Sequence, residues 1–286
     1  MTARLPAPML IDGRTEVIAH LGWPTHAFKA PMIYNPYFES AGINAVVVPM
    51  GCKPENFAAL LKSLFTAENV RGALVTMPHK VSVVGLMDKV SPAVKVAGSC
   101  NAVRRDGDGR LVGDMFDGEG FVRGLSRKGF RVQGARALVI GCGGVGSAIA
   151  ASLAQAGVGE LALHDTQERS AESLAQRLKM TYPATSVVPG STDPAGFSLV
   201  VNATPLGMNP GDPLPLDVNR LDPDAFVGEV VMKSELTPLL AAARQRGCAV
   251  QVGADMLFEM IPAYLEFFGL PGTTAEHLRS VARLQY

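Results

Sequence analysis

At 286 residues with 48% hydrophobic side chains, the chain can fill two ordinary cores without metals or crosslinks. Its 26 Lys and Arg balance 26 Asp and Glu, so it lacks the basic excess that a phosphate backbone requires, and nucleic acid is not an expected partner. No apolar run of about 20 residues is present to cross a bilayer, and the amino terminus carries no signal-like core. Cys52, Cys100, Cys142 and Cys248 are scattered singly, with no CxxC and no metal-like pairing with the five histidines. That usage predicts a reduced, cytoplasmic protein with no metal and no membrane partner. A mean hydropathy of +0.19 at zero net charge mildly favours self-association.

Up to about Asp117, short apolar strand-like runs, Ala45 to Pro49 and Gly72 to Val75, alternate with a helix-like stretch at Pro54 to Phe65. The polar stretch Arg104 to Arg110, RRDGDGR, predicts a hairpin, since Asp-Gly favours a tight reversal between two extended pieces. A second rhythm starts at Ala135 with the strand ALVIG, a glycine-rich turn, a small-residue helix from Gly144 to Ala156, and the strand LALHD. Ser170 to Leu178 reads as the next helix and Ser198 to Asn202 as the next strand. Strands at Ala225 to Val231 and Ala249 to Val252 follow, with a helix at Leu239 to Arg246 between them. This α/β pattern predicts an open parallel sheet with helices on both faces. Met256 to Phe268 has the apolar spacing of an amphipathic helix.

In ALVIGCGGVGSAIAASL, Gly141, Gly143 and Gly146 fall in G-x-G-x-x-G, directly after a strand and at the start of a helix, with Gly144 and Val145 inside the same turn. The three glycines of the pattern serve a tight turn, close approach of backbone to pyrophosphate, and close packing of helix on strand. The following strand ends in Asp165, at about the expected 20-residue offset. A carboxylate there accepts both ribose hydroxyls and repels a 2′-phosphate, so NAD is favoured over NADP. Arg169, on the next helix, keeps NADP open by its reach to a phosphate. The bland alternative, spare glycines and a solvent-facing Asp, is outweighed by strand, turn, helix and acid standing in register.

LVTMPHK ends a strand and delivers Lys80 to a turn, while GDMFDGEG places Asp117 among glycines expected to let backbone approach a ligand. Taken singly, each charge reads as solvated surface. Together with GWPTHAFKAP, GSCNAV, GCGGVGSA, VNATPLGM, ELTPLL and GADMLFE, in that order, they make the chain similar to the shikimate dehydrogenase family over nearly its whole length.

That resemblance implies a two-domain protein: a substrate-binding and catalytic domain at 1–118, a Rossmann-type NAD(P)-binding domain at 119–253, and C-terminal helices at 254–286 packing back on the first domain. It implies an active site in the cleft between domains, and a homodimer. Lys80 and Asp117 then flank the reacting hydroxyl. Oxidising a secondary alcohol needs a base for the hydroxyl proton as hydride leaves for nicotinamide C4, and a lysine serves if its proton affinity is lowered. A carboxylate beside it does the opposite, so burial or the charged nicotinamide must prevail. Thr76 and Asn101 match substrate-binding positions. Asn202, Thr204, Leu206 and Met208 match the loop bordering the nicotinamide, and Gly253 and Met256 the block approaching it from the other side.

Five positions depart from the family. Its paired hydroxyls, which grip the substrate carboxylate before a proline, are here Phe28 and Ala30 before Pro31. A family Asn is Leu74, a Tyr is Met232 and a Gln is Met260. Unmatched buried polar groups forfeit about 1 to 3 kcal/mol each, so shikimate is expected to fit poorly unless Lys29, Thr25, His26 or Glu259 compensates. The expected enzyme is an NAD-dependent dehydrogenase of a ring secondary alcohol: shikimate, quinate or a less polar analogue. A broad-specificity catabolic enzyme fits better than a strict biosynthetic one. A catalytically weak homologue that binds NAD or a metabolite for regulation is the alternative.

Overall fold

The computed structural model describes residues 11–284 apart from Ala27, Lys233 and Glu235. It opens with β1 (Glu16–Gly22), α1 (Pro31–Ala41), β2 (Ala45–Gly51), α2 (Pro54–Leu64), β3 (Val70–Val75), β4 (Lys89–Val90), α3 (Pro92–Ala97), β5 (Ala102–Arg105) and β6 (Leu111–Asp114). There follow α4 (Asp117–Arg127), β7 (Arg136–Ile140), α5 (Gly144–Gln155), β8 (Glu160–His164), α6 (Glu168–Thr181), β9 (Ser186–Pro189) and β10 (Leu199–Asn202). The last elements are β11 (Phe226–Glu229), α7 (Pro238–Gln245), β12 (Ala249–Gln251), α8 (Gly253–Phe268) and α9 (Ala275–Val281). No helix among the described residues is long and apolar enough to cross a membrane.

The chain divides into two units. The first takes the described residues up to Val90, Ser99–Asp114 and those from Tyr264 on; the second takes Ser91–Gly98 and Met115–Ala263. The first boundary thus falls at Asp114 rather than 118, and α3 joins the second unit. Its reason is local: α3 packs on α5 and α6, and Arg177 Nε donates to Val96 O at 2.6 Å. The division falls inside α8, next to Pro262, whose missing N–H interrupts the helical ladder.

The first unit is built on a mixed sheet of order β2-β1-β3-β5-β6-β4, with β1 parallel to β2 and β3, and β5 antiparallel to β3 and β6. Pro31 and Pro54 open α1 and α2, where a missing N–H costs nothing. The expected hairpin joins β5 to β6, with Asp106 Oδ1 accepting from the N–H groups of Asp108 and Arg110, both at 3.0 Å. Gly109 supplies the reversal at φ 82°.

The second unit is an all-parallel sheet of order β12-β11-β10-β7-β8-β9. Successive β7 residues serve opposite faces: Ala137 and Val139 join one core, Leu138 and Ile140 the other. The strand order reverses beside β7, and the crevice beyond the strand ends at such a switch point is where open α/β sheets bind ligands.

Candidate active site

In the first unit, Lys80 sits half-buried on the turn after β3. Thr76 N donates to Leu21 O at 2.9 Å, and Cys100 N donates to Lys80 O at 2.7 Å, so the turn is tied at both ends. His79 fixes its middle: the ring is 1% exposed, stacks on Phe57 at 4.0 Å between centroids, and has Nε2 2.7 Å from Cys52 O. A carbonyl only accepts, so that nitrogen carries the proton. Asn101 is 1% exposed; its N–H donates to Asp114 O at 3.0 Å, and its carbonyl accepts from Val75 N at 2.8 Å and Tyr264 Oη at 3.4 Å.

Phe28 stacks on His20 with centroids 4.0 Å apart. Leu74 is the register partner of His20 in the parallel β1–β3 pair, which puts both side chains on one face. A Cβ on Gly22 would lie 2.5 Å from Thr76 Cγ2 and 2.8 Å from Phe28 Cζ, so only glycine allows those side chains to converge there. The unit therefore gathers Phe28, Leu74 and Thr76 around His20. Ala30, 9% exposed, stands at the N-cap of α1, where its carbonyl accepts from Ile33 and Tyr34 N–H but no side chain caps the helix. Of the residues that could compensate for lost hydroxyls, His26 is exposed, Lys29 is half-buried, and Thr25 turns its methyl toward Gly51.

In the second unit, Asp117 is the first residue of α4 and is 3% exposed. The glycines around it serve packing and not ligand approach, against expectation. A Cβ on Gly118 would meet Ala148 O at 2.0 Å, and one on Gly120 would meet Met260 Cβ at 2.6 Å and Met256 O at 2.7 Å. Met260 and Met256 thus pack against α4; Met256, 2% exposed, belongs to the core, and Met232 packs on its margin.

The three glycines of the turn differ in their surroundings. Gly141 adopts φ 99° with its Cβ position 2.8 Å from Ala203 O, and a Cβ on Gly146 would sit 1.9 Å from Gly141 O. Gly143 meets nothing within 4 Å: it opens on free space, where backbone can approach a diphosphate. Gly144 begins α5 and Val145 packs on the core. Asp165 Oδ2 accepts from Cys142 N at 2.7 Å and Oδ1 from Gln167 N at 2.8 Å, which holds the carboxylate against the turn. It borders a groove of about 910 Å³ that Glu168, Glu172, Lys179, Val187 and Pro189 also line. Arg169 is exposed on α6 and does not line it. The residues present fit a dinucleotide.

Asn202 and Thr204 shape their loop with the groups expected to contact cofactor. Asn202, 0% exposed, donates from Nδ2 to Leu206 O at 3.1 Å, while its Oδ1 accepts from Thr204 N at 3.1 Å and Thr204 Oγ1 at 2.7 Å. Thr204 Oγ1 accepts from Leu206 N at 3.1 Å. Leu206 is half-buried on this loop and Met208 is exposed. Beneath lies Glu229, which no sequence motif marks; burial raises the pKa of its carboxyl against the opposing hydrogen bonds of Thr237 and Asn202. Gly253 is likewise a backbone contact, its Cβ position 2.2 Å from Val231 O. Glu259 pairs with Arg127 and so does not replace the lost glutamine.

A parallel sheet of this order with an open glycine turn, joined in one chain to an α/β unit bearing a lysine on a pinned turn, defines an NAD(P)-dependent oxidoreductase. Comparison with known proteins narrows the class. Residues 21–103 match the shikimate dehydrogenase substrate binding domain, and residues 127–181, which contain the glycine turn, match the ThiF family. The chain is 37% identical over 251 residues to the shikimate dehydrogenase (NADP(+)) of Rubrobacter xylanophilus, covering 86% of this chain and 88% of that protein. It therefore belongs to the shikimate dehydrogenase family. The structure of shikimate 5-dehydrogenase from Listeria monocytogenes in complex with shikimate and NAD is similar at TM-score 0.88 and 26% identity, covering 95% of this chain and 97% of that one. Quinate dehydrogenase from Corynebacterium glutamicum in complex with NAD is similar at 0.83 and 28%, covering 93% and 98%.

Proposed function

We propose that this protein reversibly oxidises a ring secondary alcohol to the ketone, acting on shikimate, quinate or a less polar analogue, with NAD preferred over NADP. The observation that carries the reading is the glycine turn with Gly143 open and the Asp165 carboxylate held beside it. Bound there, the dinucleotide supplies the hydride acceptor for oxidation and the donor for reduction. Lys80 takes the proton from the substrate hydroxyl and returns it to the ketone in reverse. Asp117 matches the family position given to the reacting hydroxyl. His79 keeps the lysine's turn in place through Cys52 and Phe57.

Preference for NAD follows from charge. Asp165, Glu168 and Glu172 line the groove with Lys179 as the sole cation among its described residues, so a 2′-phosphate meets net like charge. The quinate dehydrogenase bound to NAD is consistent with this, whereas the curated relatives, that of Rubrobacter among them, are named for NADP(+). Relatives named as dehydrogenases over nearly the whole length do not favour the regulatory alternative. The four cysteines, free and buried, support a reducing compartment, the cytoplasm.

The test is NADH absorbance with shikimate, quinate and simpler ring alcohols, with NAD and NADP in parallel. At least one alcohol is expected to react, and Lys80→Ala is expected to lower kcat by about 100-fold or more, on the order of a general-base contribution. Equal turnover by the variant removes Lys80 from the mechanism. Asp165→Ala is expected to narrow the NAD over NADP ratio of kcat/KM by roughly 10-fold or more, the loss of one charge-assisted discrimination. An unchanged ratio places cofactor choice elsewhere.

A further inference from the structure

We propose that His20 is a specificity-determining residue whose imidazole hydrogen-bonds substrate in place of the missing hydroxyls, so that the alcohol oxidised is an uncharged cyclic polyol rather than a ring acid. This deepens the function proposed above and rests on it. His20 lies on β1, where resemblance assigns nothing. Yet three positions that resemblance gives to the substrate surround it. Phe28 covers its ring at 4.0 Å, and Leu74 is its register partner on the same face of the sheet. Thr76 and Phe28 converge over Gly22, two residues along the strand and so on that face again.

The ring is 8% exposed, and among the described residues its Nδ1 has no hydrogen-bond partner. Buried polar atoms are rarely left so, and a ligand atom in reach would complete this one. With Phe28 and Ala30 in place of the paired hydroxyls, His20 and Thr76 are polar groups that remain beside those positions. Burial, and after it the Lys80 ammonium, push the imidazole down to about 4, so at neutral pH it offers a donor and an acceptor but no charge. A carboxylate seated against this neutral ring would lose its water without gaining a cation from it. A hydroxyl or carbonyl oxygen would be satisfied.

The test compares shikimate with methyl shikimate, which keeps the ring and hydroxyls and removes the charge. Wild-type kcat/KM is expected to be at least as high for the ester. His20→Leu is expected to lower kcat/KM for the ester roughly 10- to 100-fold, chiefly through KM, with NAD affinity unchanged. His20→Asn, whose amide falls near the Nδ1 position, is expected to recover part of the loss. A preference for shikimate over its ester of about 10-fold in the wild-type protein overturns the proposal, and that comparison needs no variant to fold. So does a leucine variant with wild-type efficiency, or an asparagine variant no better than leucine. If neither compound nor any other ring alcohol reduces NAD, the function proposed above fails instead.

Discussion

His20 shows how one residue couples fold to chemistry. Free in the unfolded chain it titrates near 6.5; in the fold its pKa is about 4, through burial first and Lys80 second. Between those values the unfolded chain holds more protons, so stability is complete above pH 6.5 and falls as pH drops toward 4. The loss from about pH 8 to about pH 5 is expected to be about 2 kcal/mol. Urea unfolding at the two pH values measures it, and His20→Leu should show a correspondingly smaller loss. An equal loss in the variant would mean that the imidazole is not buried. Other residues change meaning when their partners are seen. Asn202 and Thr204 have the composition of ligand contacts, yet their polar atoms close on one another and on Leu206. Spacing marks them as important without saying for what.

At the scale of elements, strands and helices with strong local punctuation are readable in the chain, among them β2, β3, α2, α5 and the Asp-Gly hairpin. β1 is harder, because it runs between β2 and β3 with Ile18, Ala19, His20 and Leu21 all buried, and so lacks the alternation of a half-exposed strand. α4 is hidden by its glycines, which look like a ligand loop but let the helix lie against Ala148 and Met260. Ion pairs hold α4 to α8. Arg127 pairs with Glu259 and, at 3.4 Å, with Asp255, which Lys128 also meets at 3.0 Å. Asp255 and Glu259 are 6% and 7% exposed, so removing the guanidinium leaves Glu259 buried without its cation. Arg127→Ala is expected to cost about 3 kcal/mol in denaturant unfolding, and Glu259→Gln in that background to recover part of it. A loss under about 0.5 kcal/mol would reduce these pairs to surface contacts.

For the molecule as a whole, cofactor binding and stability are linked through one open position. Gly143 has an extended backbone, φ −69° and ψ −171°, that any residue adopts, and its Cβ would touch nothing. Gly143→Ala should therefore leave the melting of the free protein unchanged while weakening NAD about 10-fold or more, because the methyl fills the path of the diphosphate. At about 100 times its Kd, NAD should stabilise the wild-type protein by about 2.7 kcal/mol, and the same concentration should do less for the variant. Equal thermal shifts would move the diphosphate away from this turn. Family, fold class and the glycine turn between β7 and α5 were legible in the residues, because a strand end, a glycine turn and the helix that follows are local and depend on few neighbours. The second unit's claim on α3, the packing duty of Gly118 and Gly120, the pairing of Glu259 with Arg127 and the placement of His20 among Phe28, Leu74 and Thr76 came from the folded chain alone. Each depends on segments far apart in sequence, and whether a polar atom is free for a ligand or already satisfied is known only when those segments meet.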